Sequence, residues 1–365
     1  MWQRLLGEVA RDGLPQAVLE KLAAQTGLPA SNLQAGLRVS LMGLARSVEV
    51  DVARFSQNAG LRKIVILAAG NVPAIALAPA ILLTSLGWPV VVKQSKHEQL
   101  VLPYLCELFL EKYPDLPDLI QPLYFDQNSS DFHALLEQAD HILAFGSDQT
   151  IADLRQQHPA KVTGFGHKIS FSYVDELNAE PAIFTGLARD VVLYNQQGCL
   201  SAQAIFVRGQ IDEVAGWAET FAQNVKDMAA ELGASCLTTA ARMRRNAQIE
   251  ALILRDVRHF IGPRGTCVAV VPQFSLSEVS GDCFVQVIAV ADAQQALQQL
   301  QCAQKYWQAI AISAQSGVRA GLQRLFEQAG FSFVCAPGEL QAPPLDWPNG
   351  GVRLPDDVLK QKAPA

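Results

Sequence analysis

Apolar residues recur at helical spacing through the first 56 residues, then gather into continuous runs separated by amphipathic stretches. The N-terminal repeats are Leu5, Leu6 and Val9, then Val18, Leu19 and Leu22, then Leu37, Val39, Leu41 and Leu44. Gly13-Leu14-Pro15 and Gly27-Leu28-Pro29-Ala30-Ser31 interrupt them, so helices are expected between those breaks. From Lys63 the pattern changes. Runs at 63–69, 89–93, 119–125 and 141–145 read as strands, and the stretches 74–86, 98–111, 131–137 and 147–157 read as helices. Fully apolar strands alternating with helices predict a parallel sheet covered on both faces, in the doubly wound nucleotide-binding pattern.

A second alternating series begins near Ala204. Strands are expected at 204–208, 267–271, 284–290, 310–312 and 331–335, with helices at 211–232, 238–255, 293–303 and 318–330. The run Asp190-Val191-Val192-Leu193 also reads as a strand. The periodicity gives four regions. These are a helical segment over 1–56, a dinucleotide-binding domain over 57–195, a second domain over 196–336 and an extended tail over 337–365, rich in proline and glycine at its start, that either packs back or lies at a subunit interface.

Composition narrows the class. Of 365 residues, half are apolar and 18% charged, which suits a compact folded protein. A net charge of −6 without a basic face argues against nucleic acid as a partner. The longest apolar run, Val72 to Leu83, is broken by Pro73 and Pro79 and reads as buried structure rather than a membrane span. The start carries no signal-peptide pattern, so a cytoplasmic location is expected. The seven cysteines, at 106, 199, 236, 267, 283, 302 and 335, form no C-x-x-C pair and have no histidine at metal-ligand spacing. Reduced thiols are expected rather than disulfides or a zinc site.

Several residues could carry chemistry. Cys199 lies in the polar stretch Tyr194-Asn195-Gln196-Gln197-Gly198-Cys199-Leu200-Ser201, where a thiol can be presented as a nucleophile or buried as a small hydrophobe. Asn71, in Gly70-Asn71-Val72-Pro73, suits an oxyanion donor or an ordinary turn. Lys93-Gln94-Ser95-Lys96 closes a strand on the edge where open α/β sheets take ligands. Gly146-Ser147 opens a helix, either to hold phosphate or merely to cap it. Glu278 could accept ribose hydroxyls or be a surface carboxylate, and His167 could act as an acid or base or be structural.

Taken in order, these motifs resemble the aldehyde dehydrogenase superfamily over about residues 60–335. Ala69-Gly70-Asn71-Val72-Pro73, Gly146-Ser147-Asp148-Gln149-Thr150 and Gln197-Gly198-Cys199-Leu200-Ser201 are most similar to the acyl-CoA reductases related to the luminescence fatty-acid reductase. The resemblance implies two doubly wound domains behind a helical N-terminal segment, with 196–336 as the catalytic domain. It makes Cys199 the acyl-accepting nucleophile, and Asn71 with the Cys199 backbone N–H the oxyanion hole. Lys93, Ser95 and Lys96 would lie at the adenosine ribose, Gly146 and Ser147 at the pyrophosphate, and Glu278 at the nicotinamide ribose. The implied substrate is an acyl-CoA or acyl-carrier thioester, and a homodimer is a reasonable expectation.

Three departures refine it. Gly164, in Gly164-Phe165-Gly166-His167-Lys168, stands where hydrolytic aldehyde dehydrogenases have a glutamate base, which points to reduction of a thioester rather than its hydrolysis. His167 could supply acid or base chemistry in its place. Lys96 stands where NAD-specific members carry a glutamate, so NADPH is expected, with NADH the alternative. Ala202 replaces a proline usual among the acyl-CoA reductases. The rival readings are an NAD(P)-dependent dehydrogenase working oxidatively and a non-catalytic binding homologue.

Overall fold

The computed structural model describes residues 1–46, 63–115, 119–126, 129–234, 238–354, 356 and 358. The expected boundary at 56/57, Cys236 and most of the final residues lie outside them. Two compact units are present. One comprises Met1–Gly27, Ser40–His167 and Pro344–Ala365, the other Leu28–Val39 and Lys168–Pro343.

The N-terminal periodicity resolves into α1 (Trp2–Asp12), α2 (Gln16–Thr26) and α3 (Ala30–Ala45), separated at the two expected breaks. Gly27 ends α2 with φ 73°, a left-handed cap that glycine adopts without steric cost. The first unit then follows β1 (Ile64–Leu67), α4 (Leu77–Thr84), β2 (Val90–Lys93), α5 (Val101–Lys112), β3 (Ile120–Leu123), α6 (Ser130–Gln138), β4 (His141–Phe145), α7 (Asp148–Gln157) and β5 (Val162–Phe165). Its described strands form a parallel sheet in the order β3-β2-β1-β4-β5. Val65, Leu67, Ile142 and Ala144 pack with Phe132, Leu135, Ile151 and Leu154 of α6 and α7. The alternate residues Ile64, Ile66 and Leu143 are equally buried toward the other face. Both faces are covered, which is why these strands are continuously apolar.

The second unit contains β6 (Ile169–Val174), α8 (Pro181–Val192), β7 (Ala202–Arg208), α9 (Ile211–Glu231), α10 (Thr239–Leu254), β8 (His259–Ile261), β9 (Cys267–Val270), β10 (Phe284–Val290), α11 (Ala293–Leu300), β11 (Trp307–Ser313), α12 (Ser316–Ala329) and β12 (Phe333–Cys335). Its described strands are ordered β12-β11-β6-β7-β10-β9-β8, parallel except for the edge strand β8. Phe171, Phe206, Phe274, Phe284, Phe326 and Phe331 fill one side of this sheet. Val214, Trp217, Phe221 and Val225 of α9 are buried as well.

The structure departs from expectation in several places, among them the unassigned edge strand β8. Asp190-Val191-Val192-Leu193 is not a strand: it closes α8. Phe184, Leu187, Ala188 and Val191 recur at helical spacing and are all buried, so the β-branched pair is the last turn of an amphipathic helix begun by Pro181. The glycine-rich stretch 164–168 is shorter than a five-residue turn, because Gly164 and Phe165 belong to β5. The segment 169–174, without an assigned element in the sequence pattern, is a strand, and it pairs with β7 and β11. The division between units therefore falls between His167 and Lys168, whereas the sequence pattern had grouped 57–195 together. Residues 338–340 lie against α8, where the buried Asp190 carboxylate accepts the backbone N–H groups of Gly338 (2.7 Å) and Leu340 (3.1 Å).

Candidate active site

In the first unit the strand order reverses direction between β1 and β4, so the loops leaving their carboxyl ends flank a topological switch point. Gly70 and Asn71 lie on one of these loops, Gly146 and Ser147 on the other. Gly70 admits no side chain. A Cβ there would stand 2.3 Å from Ser95 Oγ, so the backbone after β1 is pressed against the loop after β2. Asn71 is exposed in an extended turn, and α4 begins only at Leu77, so its side chain is not a helix cap. Ser147 does cap α7, accepting the Thr150 N–H at 3.1 Å. The Gly146 N–H donates to Phe165 O at 3.3 Å. His167 is exposed, and its backbone N–H is held by Asp148 Oδ1 at 3.1 Å.

Lys93 ends β2 and is buried. Its Nζ lies 5.8 Å from the ring centroids of both Tyr124 and Phe132, and burial holds its pKa below the usual lysine range. Ser95 accepts the His97 N–H, whereas Lys96 is exposed. The only carboxylate in this loop, Glu98, is buried and turned to the start of α5, accepting the N–H groups of Leu100 and Val101 at 2.9 Å each. Small residues thus flank the switch point, and Lys96 is the exposed cation of the loop after β2.

The second unit carries Cys199 and Glu278. Gly198–Ser201 forms a turn closed by Ser201 N–H to Gly198 O at 3.0 Å, and Cys199 sits inside it, part-exposed. Burial pushes the thiol up to about 11. Opposing that, the neighbouring backbone N–H groups of Cys199 and Leu200 and the Lys168 ammonium all favour the thiolate. The Cys199 carbonyl accepts from Ser170 Oγ at 2.7 Å.

The approach to this turn is strained. Tyr194, Asn195 and Gln196 have φ of 54°, 51° and 61°, three successive left-handed residues of which none is glycine. Each costs about 1–2 kcal/mol in isolation. Side chains from distant parts of the unit hold them. Asn32 Oδ1 accepts the Tyr194 N–H at 2.7 Å while Asn32 Nδ2 donates to Val192 O at 3.0 Å. Gln196 Nε2 donates to Ala202 O and Phe284 O at 2.7 and 2.9 Å, and Gln203 Nε2 donates to Gln196 O at 3.2 Å. Gly36 leaves room for the Tyr194 ring, which a Cβ would meet at 2.5 Å.

Glu278 lies in a turn before β10. Its carboxylate pairs with Arg255 at 2.9 Å and its carbonyl accepts from Gln248 Nε2 at 3.1 Å. A second left-handed run, Gly281-Asp282-Cys283, follows it. The buried Arg245 donates to the carbonyls of Gly265, Gly281 and Asp282, and the Asp282 N–H donates to Asn195 O at 3.0 Å. Thus the Glu278 segment and the Cys199 segment are joined through one network.

A family model described as acyl-CoA reductase (LuxC) matches residues 28–358. The chain belongs to the LuxC acyl-CoA reductase family. This LuxC-family chain is 29% identical over 154 residues to the long-chain acyl-protein thioester reductase 2 of Photobacterium leiognathi. That match takes in 40% of this chain and 32% of the relative. It is 26% identical over 149 residues to the corresponding enzyme of Aliivibrio fischeri, covering 39% and 31% respectively. The matched part thus spans about a third of the length of these curated relatives.

Among solved structures, an aldehyde dehydrogenase of Brucella melitensis biovar abortus 2308 gives a TM-score of 0.62 at 14% identity, over 93% of this chain and 75% of that one. Aldehyde dehydrogenase 21 of Physcomitrella patens gives 0.63 at 14% identity, over 94% and 79%. The fold is that of the aldehyde dehydrogenases.

Asn32, Gln196, Gln203, Arg245 and Arg255 were not singled out by the sequence pattern. The run Asn195-Gln196-Gln197 was a visible signal, since amides beside a candidate nucleophile suit a loop held by side-chain hydrogen bonds. Asn32 had none.

Proposed function

We propose that this LuxC-family chain reduces an acyl thioester, on CoA or an acyl carrier, to the aldehyde through a Cys199-bound thioester, with NADPH as reductant. The observation that carries this reading is the Cys199 turn itself, a part-exposed cysteine whose thiolate is favoured by nearby backbone N–H groups and whose strained approach is locked by buried amides. The Cys199 sulfur attacks the thioester carbonyl, the oxyanion forms, and the carrier thiolate leaves and takes a proton. Asn71 is assigned to that oxyanion together with the Cys199 N–H, where one donor typically lowers the barrier by roughly 3–4 kcal/mol. His167 is the candidate for the proton the leaving thiol needs. A nicotinamide cofactor, when bound, supplies the hydride that reduces the Cys199 thioester. The Cys199 thiohemiacetal then collapses to release aldehyde and free thiol.

Lys93, Ser95 and Lys96, Gly146 and Ser147, and Glu278 are the residues assigned to holding that cofactor. Exposed Lys96, with the Glu98 carboxylate committed to α5, favours a 2′-phosphate. The reductive direction is supported by Gly164. A Cβ at this position would stand 2.2 Å from Ile151 Cγ2, so a glutamate base has no room there.

The test is acyl-CoA-dependent NADPH oxidation across a chain-length series, with intact mass of the protein before reductant is added. An acyl adduct that disappears in Cys199→Ala, together with turnover, is expected. Full turnover by Cys199→Ala would sink the reading.

A further inference from the structure

Gln308 is, with the terminal Ser313, one of the two polar residues of strand β11 and is 0% exposed. A buried amide in that place costs free energy unless something uses it. Two irregularities in the sheet explain its direction. Between β6 and β11, Trp307 pairs with Ile169 and Ile310 with Phe171, so Gln308 and Ala309 together oppose Ser170. Between β6 and β7, Ser170 pairs with Ala202 and Phe171 with Ala204, so Gln203 is also an extra residue. Two bulges therefore flank Ser170, whose hydroxyl binds the Cys199 carbonyl. Bulges re-aim side chains, and both of these turn a glutamine toward the nucleophile loop. Gln203 reaches Gln196 O, and Gln308 Nε2 lies 4.0 Å from Cys199 Sγ. The Gln308 carbonyl is held by the N–H and hydroxyl of Ser332, at 3.0 and 2.8 Å, which fixes the bulge.

We infer that Gln308 is a further catalytic residue of this site, its side-chain amide donating an N–H to the Cys199 sulfur and thereby stabilising the thiolate and holding the sulfur in one orientation. The role rests on the nucleophile assigned to Cys199 above. An amide suits it because it can donate to sulfur but cannot deprotonate water, so it leaves an acyl-Cys199 thioester intact for reduction.

The test needs neither acyl substrate nor nucleotide. Iodoacetamide alkylation is followed at Cys199 by peptide mass at fixed pH in the parent, Gln308→Met and Gln308→Asn, with exposed Cys302 as internal reference. Losing the donor shifts the thiol upward, and each pKa unit reduces thiolate tenfold while raising its nucleophilicity about threefold, a net slowing of about threefold. Both variants are expected to slow by that factor or more at Cys199 and not at Cys302. Gln308→Glu, which sets a carboxylate beside the sulfur, is expected to be slowest. Folding is checked by circular dichroism, and either the Met or the Asn variant, once folded, decides. A folded variant lacking the donor and alkylated at the parental rate overturns the proposal, whatever becomes of acyl reduction. Loss of acyl reduction in the parent, with the alkylation order intact, would instead count against the proposed substrate alone.

Discussion

At the scale of single residues, Cys199, the nucleophile of the proposed reading, is a thiol held mostly protonated. Burial pushes its thiol up to about 11, against the pull of two N–H groups and Lys168. At pH 8 roughly one molecule in a thousand would then carry the thiolate. Alkylation at Cys199 is expected to rise tenfold per pH unit from pH 7 to about 10 without levelling, whereas a plateau below pH 9 would show a stronger activating influence than the free protein displays. Gly164 gives a second expectation. Any Cβ there drives into Ile151 Cγ2, and Ile151 is buried, so Gly164→Ala is expected to cost about 1–3 kcal/mol by denaturant unfolding. Gly164→Glu is expected to destabilise further and to bring no thioesterase activity. A hydrolytic gain in a folded Gly164→Glu protein would refute the steric account. The sequence made Gly164 legible as a missing glutamate through its resemblance. It could not show that the space itself is gone, because Ile151 lies thirteen residues away on another element.

At the scale of elements, the turn before Cys199 depends on a helix far from it in sequence. Asn32 of α3 holds Tyr194 N–H and Val192 O, both buried, and Asn32→Ala leaves both without those bonds. The expected loss is about 2–4 kcal/mol, with a lowered denaturant midpoint and reduced turnover; an unchanged midpoint would mean the left-handed run supports itself. Strand and helix periodicity is a local property, and the elements that depend on it were legible: β1, β2, β4, α7 and β10 lie where apolar spacing put them. Left-handed residues at 194–196 were not legible, since their conformation is imposed by tertiary partners, Asn32 for Tyr194 and Phe284 with Gln203 for Gln196, that lie on other elements. The same holds for α8, whose last turn looks like a strand until its buried face is known. That turn also brings a pH dependence. Burial pushes Asp190 up to about 8, despite the N–H groups of Gly338 and Leu340. Between the ordinary carboxylate range and that value the folded chain holds a proton that the unfolded chain has released. Stability from this group is therefore greatest at low pH, falls as pH rises toward 8, and levels off above it. Asp190→Asn removes that slope, so the variant is expected to gain on the parent in denaturant midpoint as pH rises from 5 to 9. Parallel profiles for the two proteins would show that Asp190 is ionised in the fold.

At the scale of the whole molecule, the cofactor choice is where pattern and structure meet. The first parallel sheet and most of the second follow from apolar runs, but a parallel sheet does not say which nucleotide it takes. In the proposed function, that depends on the charge at the end of β2. Among the described residues of the loop from Lys93 to Leu100, the cations are Lys93, buried between two aromatic rings, and Lys96, exposed. Glu98 is the one carboxylate, and capping α5 keeps it from competing for a ribose hydroxyl. A 2′-phosphate meeting Lys96 gains a charge-assisted contact that a bare hydroxyl cannot make. Lys96→Glu replaces attraction by repulsion toward the phosphate and supplies an acceptor for the hydroxyl, at an exposed position that disturbs no buried group. Preference, measured as the ratio of kcat/KM with NADPH to that with NADH, is expected to fall by on the order of a hundredfold, most of it in KM. Lys93→Met serves as the comparison: it removes a cation stacked on Tyr124 and Phe132, and is expected to lower affinity for both nucleotides together. If Lys96→Glu left the ratio unchanged while Lys93→Met shifted it, the phosphate would be read by the buried lysine, and the exposed one would be a solvated surface charge.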